Sequence, residues 1–187
     1  MRYRRLAPLC LLAPLFVASA AAQPGELFDA QGYRQIRFQA PVSREPHPAN
    51  RIAAAAAAGL RPNIDALFID VLPTDGGVRD PRTGRWRLPA PHLSVPGALW
   101  HPETGRAPPD PRLWQGLRDA VAVARRKHPG IPVILYCRTD CWMGWNAARR
   151  LAGEGVSNVW WLADGIEGWR REGGTLAPVE PAVITPR

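Results

Sequence analysis

Three short, unbroken apolar runs limit what this chain can fold into. They are Ala66-Leu67-Phe68-Ile69-Asp70-Val71, Pro132-Val133-Ile134-Leu135-Tyr136 and Val159-Trp160-Trp161-Leu162. None alternates apolar with polar residues, so each reads as a strand covered on both faces, the mark of a parallel sheet. Helical patterns separate them. After Pro111, residues Leu113, Trp114, Leu117, Val121 and Ala124 share one face. Asp110 is placed to cap that helix, Arg125, Arg126, Lys127 and His128 suit its C-terminal dipole, and Pro129-Gly130 ends it. The pattern predicts further helices over Trp145 to Ala152 and Ile166 to Arg171, and another within Ile52 to Leu60 around its six alanines. Strand, helix, strand, helix, strand requires right-handed crossovers. The expected architecture is therefore α/β, with a central parallel sheet flanked by helices in three layers. Residues 72–91, rich in Pro and Gly, read as a long loop, and Val95 to Trp100 as another short strand.

The flanks read differently. Arg2, Arg4 and Arg5, the short apolar stretch Leu6 to Val17 and the small residues Ala18 to Ala22 form a secretory signal over residues 1–22, with cleavage expected near Ala22. The protein is thus expected to be exported to the periplasm. Residues 23–51 read as an irregular extension with a strand around Tyr33 to Phe38, residues 52–178 as the domain, and residues 179–187 as a tail. No other apolar run is long enough to span a bilayer. The formal charge of +8 comes from bases scattered among Pro and Asp. Without a basic helix face or an aromatic-spaced basic stripe, a nucleic-acid role is not expected.

One segment carries chemistry. Tyr136-Cys137-Arg138-Thr139-Asp140-Cys141-Trp142-Met143-Gly144-Trp145-Asn146 joins the end of a predicted buried strand to the start of a helix. Ligands of open α/β sheets bind off the carboxyl ends of strands. Loop amides and a helix N-terminus favour an anion there, and so favour a reactive thiolate at Cys137. Cys10 lies in the signal, leaving Cys137 and Cys141, four positions apart, as the thiols of the mature chain. In an oxidising compartment such a pair can form a disulfide, persist as a reactive pair or bind metal.

From Ile52 to Pro178 the chain resembles the rhodanese-like domain family. Leu67-Phe68-Ile69-Asp70-Val71, Val95-Pro96-Gly97-Ala98-Leu99, Val133 to Cys137 and the segment Asn158 to Trp169 fall in the family's order. More narrowly, Cys137-x-x-x-Cys141-Trp142-Met143-x-Trp145-Asn146 resembles exported rhodanese-like proteins with a Cys…Cys-Trp motif, associated with pyrroloquinoline-quinone-dependent alcohol catabolism. The resemblance implies a three-layer rhodanese-like domain and sulfane sulfur carried as a persulfide on Cys137. As partners it implies a small sulfur compound or a thiol protein, in a setting of quinoprotein dehydrogenases and c-type cytochromes. Cys137, Cys141 and Arg138 are then the catalytic candidates, and Thr139, Asp140, Trp142, Met143 and Gly144 the substrate-binding ones.

Where the family's loop usually brings Gly and a late basic residue, this chain has Cys141, Trp142 and Met143. Arg138 is the only loop cation, and Asp140 sets a negative charge where an anionic donor would bind. Three readings stay open. Cys137 accepts sulfur and Cys141 discharges or protects it; or the two cysteines cycle between dithiol and disulfide, their Cα atoms near 6 Å; or the pair, with Met143, holds Cu(I) or builds a docking surface. No resident metal or cofactor is expected otherwise. Asp70 reads as a turn residue. His47, His92, His101 and His128 read as isolated surface or structural groups.

Overall fold

The computed structural model describes residues 27–185. The predicted signal at 1–22 lies outside the described residues. Among the described residues nine strands and four helices follow in the order β1 (Asn50–Ile52), α1 (Ala54–Ala58), β2 (Leu67–Asp70), β3 (Val78–Arg79), β4 (Trp86–Arg87), β5 (His92–Ser94), β6 (Leu99–Trp100), α2 (Pro111–Lys127), β7 (Val133–Tyr136), α3 (Trp142–Gly153), β8 (Val159–Leu162), α4 (Gly165–Arg171) and β9 (Ala177–Val179). The main sheet has five strands in the order β1-β8-β7-β2-β6, and every neighbouring pair is parallel. All three apolar runs lie in it, at its centre. Residues of β2 and β7 are buried without exception, as strands covered on both faces must be.

Alternation along β7 splits the interior in two. Val133, Leu135 and then Cys137 join Leu117, Val121, Ala147, Leu151 and Trp161 in the core beneath α2 and α3. Ile134 and Tyr136 join Phe68, Leu162, Ile166 and Trp169 beneath α1 and α4. Fully burying one such side chain contributes about 1.5–3 kcal/mol, so these two layers dominate the fold's stability. Helix α2 begins as its sequence predicts: the Asp110 side chain accepts from the amides of Arg112 and Leu113, with Pro111 in the first turn.

Four expectations are corrected. Helix α3 begins at Trp142 rather than Trp145, because Cys141 already has the extended backbone of an N-cap. Asn50–Ile52 form a strand beside β8, so the alanine helix shortens to five residues. The long loop holds a β3–β4 hairpin and leads into β5, which pairs with β9 near the C-terminus. No strand forms at 33–38; that stretch makes one isolated bridge, Arg34 with Phe28, and Gln39 just beyond it makes another with Cys141.

Candidate functional site

β7 ends at Tyr136 and α3 starts six residues later, so residues 137–141 must turn the chain within one loop. Asp140 makes this possible by adopting a left-handed backbone, φ 54°. Cys137 and Cys141 are joined in a disulfide with Cα atoms 6.0 Å apart, within the usual range. Their residues are 1% and 4% exposed, so the bond lies inside the α2/α3 core rather than open to solvent. Two glycines allow the tight approach. A Cβ at Gly144 would come within 3.2 Å of the Cys137 amide nitrogen and the Trp161 indole, and one at Gly165 (φ 57°) would overlap the backbone of residues 137–139.

Several of the loop's polar groups are already engaged. Arg138 turns to the rim and pairs with Asp75 at 2.8 Å, both half-exposed. The Thr139 amide donates to the Glu167 carboxylate at 2.8 Å, and its hydroxyl donates to the Asp164 carbonyl at 2.6 Å. A carboxylate therefore holds a loop amide that could otherwise serve an incoming anion. Trp142, Met143 and Gly144, expected in the loop, are buried in the first turn of α3. The structure thus brings Cys137 and Cys141 together, sends Arg138 away, and keeps Thr139 and Asp140 at the surface edge.

The surroundings of Trp142 come from the N-terminal extension. Phe28 meets Trp142 edge-to-face at 5.1 Å, Trp142 meets Trp145 likewise at 5.3 Å, and the buried Arg34 lies over both Phe28 and Trp142. Burial, then Arg37 and Arg44, hold the Arg34 pKa below its ordinary value. Asn146, fully buried, accepts from the Arg34 amide and donates to the carbonyls of Arg34 and Gly105. Trp145 Nε1 donates to the Arg44 carbonyl. Further along, the Ala40 amide donates to the Asp140 carbonyl at 2.8 Å, the Trp142 amide to the Phe38 carbonyl at 2.9 Å, and Gln39 Nε2 to the Thr139 carbonyl at 2.7 Å. Trp142 Nε1 alone stays buried and unbonded in this region. These extension residues carry no periodic signal, so sequence reasoning missed them; the aromatic and amide residues after Cys141 were the one visible hint.

On the sheet's other face lies a second polar group. Asp70, fully buried, accepts from the Leu72 amide, from His92 Nε2 at 2.8 Å and from the Ser94 hydroxyl, and Ser94 Oγ lies 2.7 Å from the Tyr136 hydroxyl. The bond to Leu72 is the turn role expected of Asp70. His92 is not isolated: it also stacks on Trp100, centroids 3.9 Å apart. Burial, and then the Asp70 charge, push the Tyr136 pKa well above the usual tyrosine value. Among the described residues no cluster of three or more His, Cys, Asp or Glu is placed to hold a metal ion. Nor is any helix among them long and apolar enough to cross a membrane.

A three-layer parallel α/β domain that delivers a cysteine from its central strand into a strand-to-helix turn is the class of protein this fold and site define. Residues 90–172, somewhat under half the chain, match the profile of the rhodanese-like domain. β1 and β2 precede the matched residues yet complete the same five-stranded sheet. No curated protein and no solved structure matches the chain.

Proposed function

We propose that this rhodanese-like domain acts as a thiol–disulfide redox module whose working pair is Cys137 and Cys141. One observation carries the reading: the two sulfurs are bonded to each other, while the groups that would steady a transferred sulfur anion are committed elsewhere, Arg138 to Asp75 and the Thr139 amide to Glu167. A partner thiolate attacks one sulfur, forming a mixed disulfide, and the other cysteine takes up a proton and leaves as a thiol. A second partner thiol then attacks the mixed bond, releasing an oxidised partner and the dithiol protein. Of the two, Cys141 is the less deeply buried, which favours it as the point of entry, although Cys137 is the residue the strand delivers.

The persulfide reading connects to this cycle. A persulfide on Cys137, attacked by the Cys141 thiolate, gives the same disulfide and releases hydrosulfide, so the bonded pair is also a discharged sulfur carrier. The export signal at residues 1–22 and the Cys137/Cys141-Trp142 pattern place the cycle, within this proposal, in the periplasm beside quinoprotein alcohol oxidation. A thiol protein, a quinoprotein dehydrogenase or a c-type cytochrome would be its neighbour.

The test equilibrates the purified protein with mixtures of reduced and oxidised dithiothreitol, alkylates free thiols with iodoacetamide and weighs the products. Interconversion of a form with no alkyl group and a form with two, along a two-electron curve, supports the cycle. A pair that stays oxidised in excess dithiol after transient unfolding, or that settles as a species with one added sulfur, overturns it.

A further inference from the structure

Attack on a disulfide needs a clear line to one sulfur, and here neither sulfur has one. The chain's own extension runs beside Cys141, and its Phe38 and Ala40 pack on the core cluster that holds both cysteines. Gln39 bridges Cys141 in antiparallel fashion, and hydrogen bonds on either side fix that pairing: Ala40 to Asp140, Trp142 to Phe38, Gln39 Nε2 to Thr139. Trp142, adjacent to the bridge, is covered by Phe28 and Arg34 of the same extension. We propose that residues 38–40 form a gate over the Cys137–Cys141 disulfide, and that a thiol partner reacts with the pair only while this segment is lifted from Cys141. The inference rests on the redox reading above and adds how access to the pair is controlled.

The segment is built to move separately from the body. Arg34 is clamped by Asn146 upstream and the Arg44 carbonyl by Trp145 downstream, so the gate is a short span between two anchors. Within the span Arg37 holds a left-handed backbone, φ 51°, which a non-glycine residue adopts at a cost. Ile36 and Gln39 are exposed, while Phe38, Ala40 and Val42 pack on the core cluster. Lifting residues 38–40 breaks three hydrogen bonds and leaves both anchors in place. The α2/α3 core opens only at the edge where Phe38 and Ala40 pack on it.

Two variants weaken the gate from different sides. Gln39→Ala removes one side-chain bond at an exposed position, and Ala40→Pro removes the amide that donates to Asp140. Three proteins, the parent and both variants, are oxidised and then treated with dithiothreitol, with iodoacetamide quenching and mass readout. In parallel, hydrogen exchange at the Trp142 amide is followed in each oxidised protein. The gate predicts that reduction accelerates in both variants by roughly two- to tenfold, the range expected for one lost hydrogen bond, and by the same factor as Trp142 exchange. Equal reduction rates in all three proteins while Trp142 exchange differs overturn the gate and leave the redox reading standing. A pair that resists excess dithiothreitol in all three while Trp142 exchanges freely overturns the redox reading itself, and the gate with it.

Discussion

Tyr136 and Cys137 are neighbours in sequence and leave β7 on opposite faces of the sheet. Tyr136 enters a polar group in which Asp70, Ser94 and His92 all have partners, and every member belongs to the matched domain or to β2. Cys137 enters an apolar core and a disulfide whose cover comes from residues 28–44, far outside that match. One face is closed by the domain's own bonds and the other by a segment laid over it. The difference teaches where change can occur. The Asp70 side is a fixed support for the strand end, and the Cys137 side is the one that can open and react.

Removing Asp70 should break this comparison most severely. Asp70→Ala leaves Ser94, His92 and the Leu72 amide without their common acceptor in a buried site, a loss of about 3–5 kcal/mol by analogy with broken buried networks. Denaturant unfolding would measure it. The account expects Cys137–Cys141 reduction in the still-folded fraction to be unchanged, since the two groups lie on opposite faces.

Next in size is an effect of pH on His101, near the Asp70 group and only 4% exposed. Burial lowers its pKa from 6.5 to about 4. The unfolded chain therefore binds a proton that the fold rejects, so stability should fall as pH drops from about 6.5 towards 4 and level off below. The depth is on the order of 3 kcal/mol. His101→Gln should flatten this slope in unfolding curves taken across that range, and a slope identical in the variant would contradict the assignment.

Smaller still is the disulfide's own contribution. It closes a loop between residues only four apart, worth about 2 kcal/mol in the chain-entropy description. Cys137→Ser with Cys141→Ser should therefore lower the unfolding midpoint modestly, keep the fold, and abolish thiol exchange. Loss of the fold would make the pair structural.

The smallest expected stability change is at Glu167, an exposed carboxylate, where a shift within about 0.5 kcal/mol is typical. Its use is diagnostic. Glu167→Ala frees the Thr139 amide, and thiosulfate should bind the reduced variant better than the reduced parent in titration calorimetry. Equal affinity would mean that the carboxylate does not guard the loop.

The contrast between the faces also explains what the sequence could and could not disclose. Burial on both sides leaves an unmistakable run, so β2, β7 and β8 were legible, as was α2 from its cap and apolar stripe. Cys137 at a strand end was legible for the same reason, and the spacing of Cys141 anticipated the 6.0 Å separation of their Cα atoms. The start of α3 was not, because Cys141 caps the helix by backbone conformation and lacks a capping side-chain bond. Nor was the cover beside the disulfide: Phe38 and Ala40 are held by backbone bonds, and Gln39 by a side-chain bond, to residues about a hundred positions away, which leave no local pattern. His92 meeting Asp70 depends on the turn of the long loop, equally silent in sequence.

The most direct test of the redox assignment is the intact mass of the protein, acid-quenched on isolation and kept free of reductant, before and after dithiothreitol. The account predicts a mass about 2 Da below that of the dithiol chain, rising by the same amount on reduction, with no other adduct. A dominant species about 32 Da heavier, lost on reduction, would instead mark a stored sulfane sulfur and contradict it.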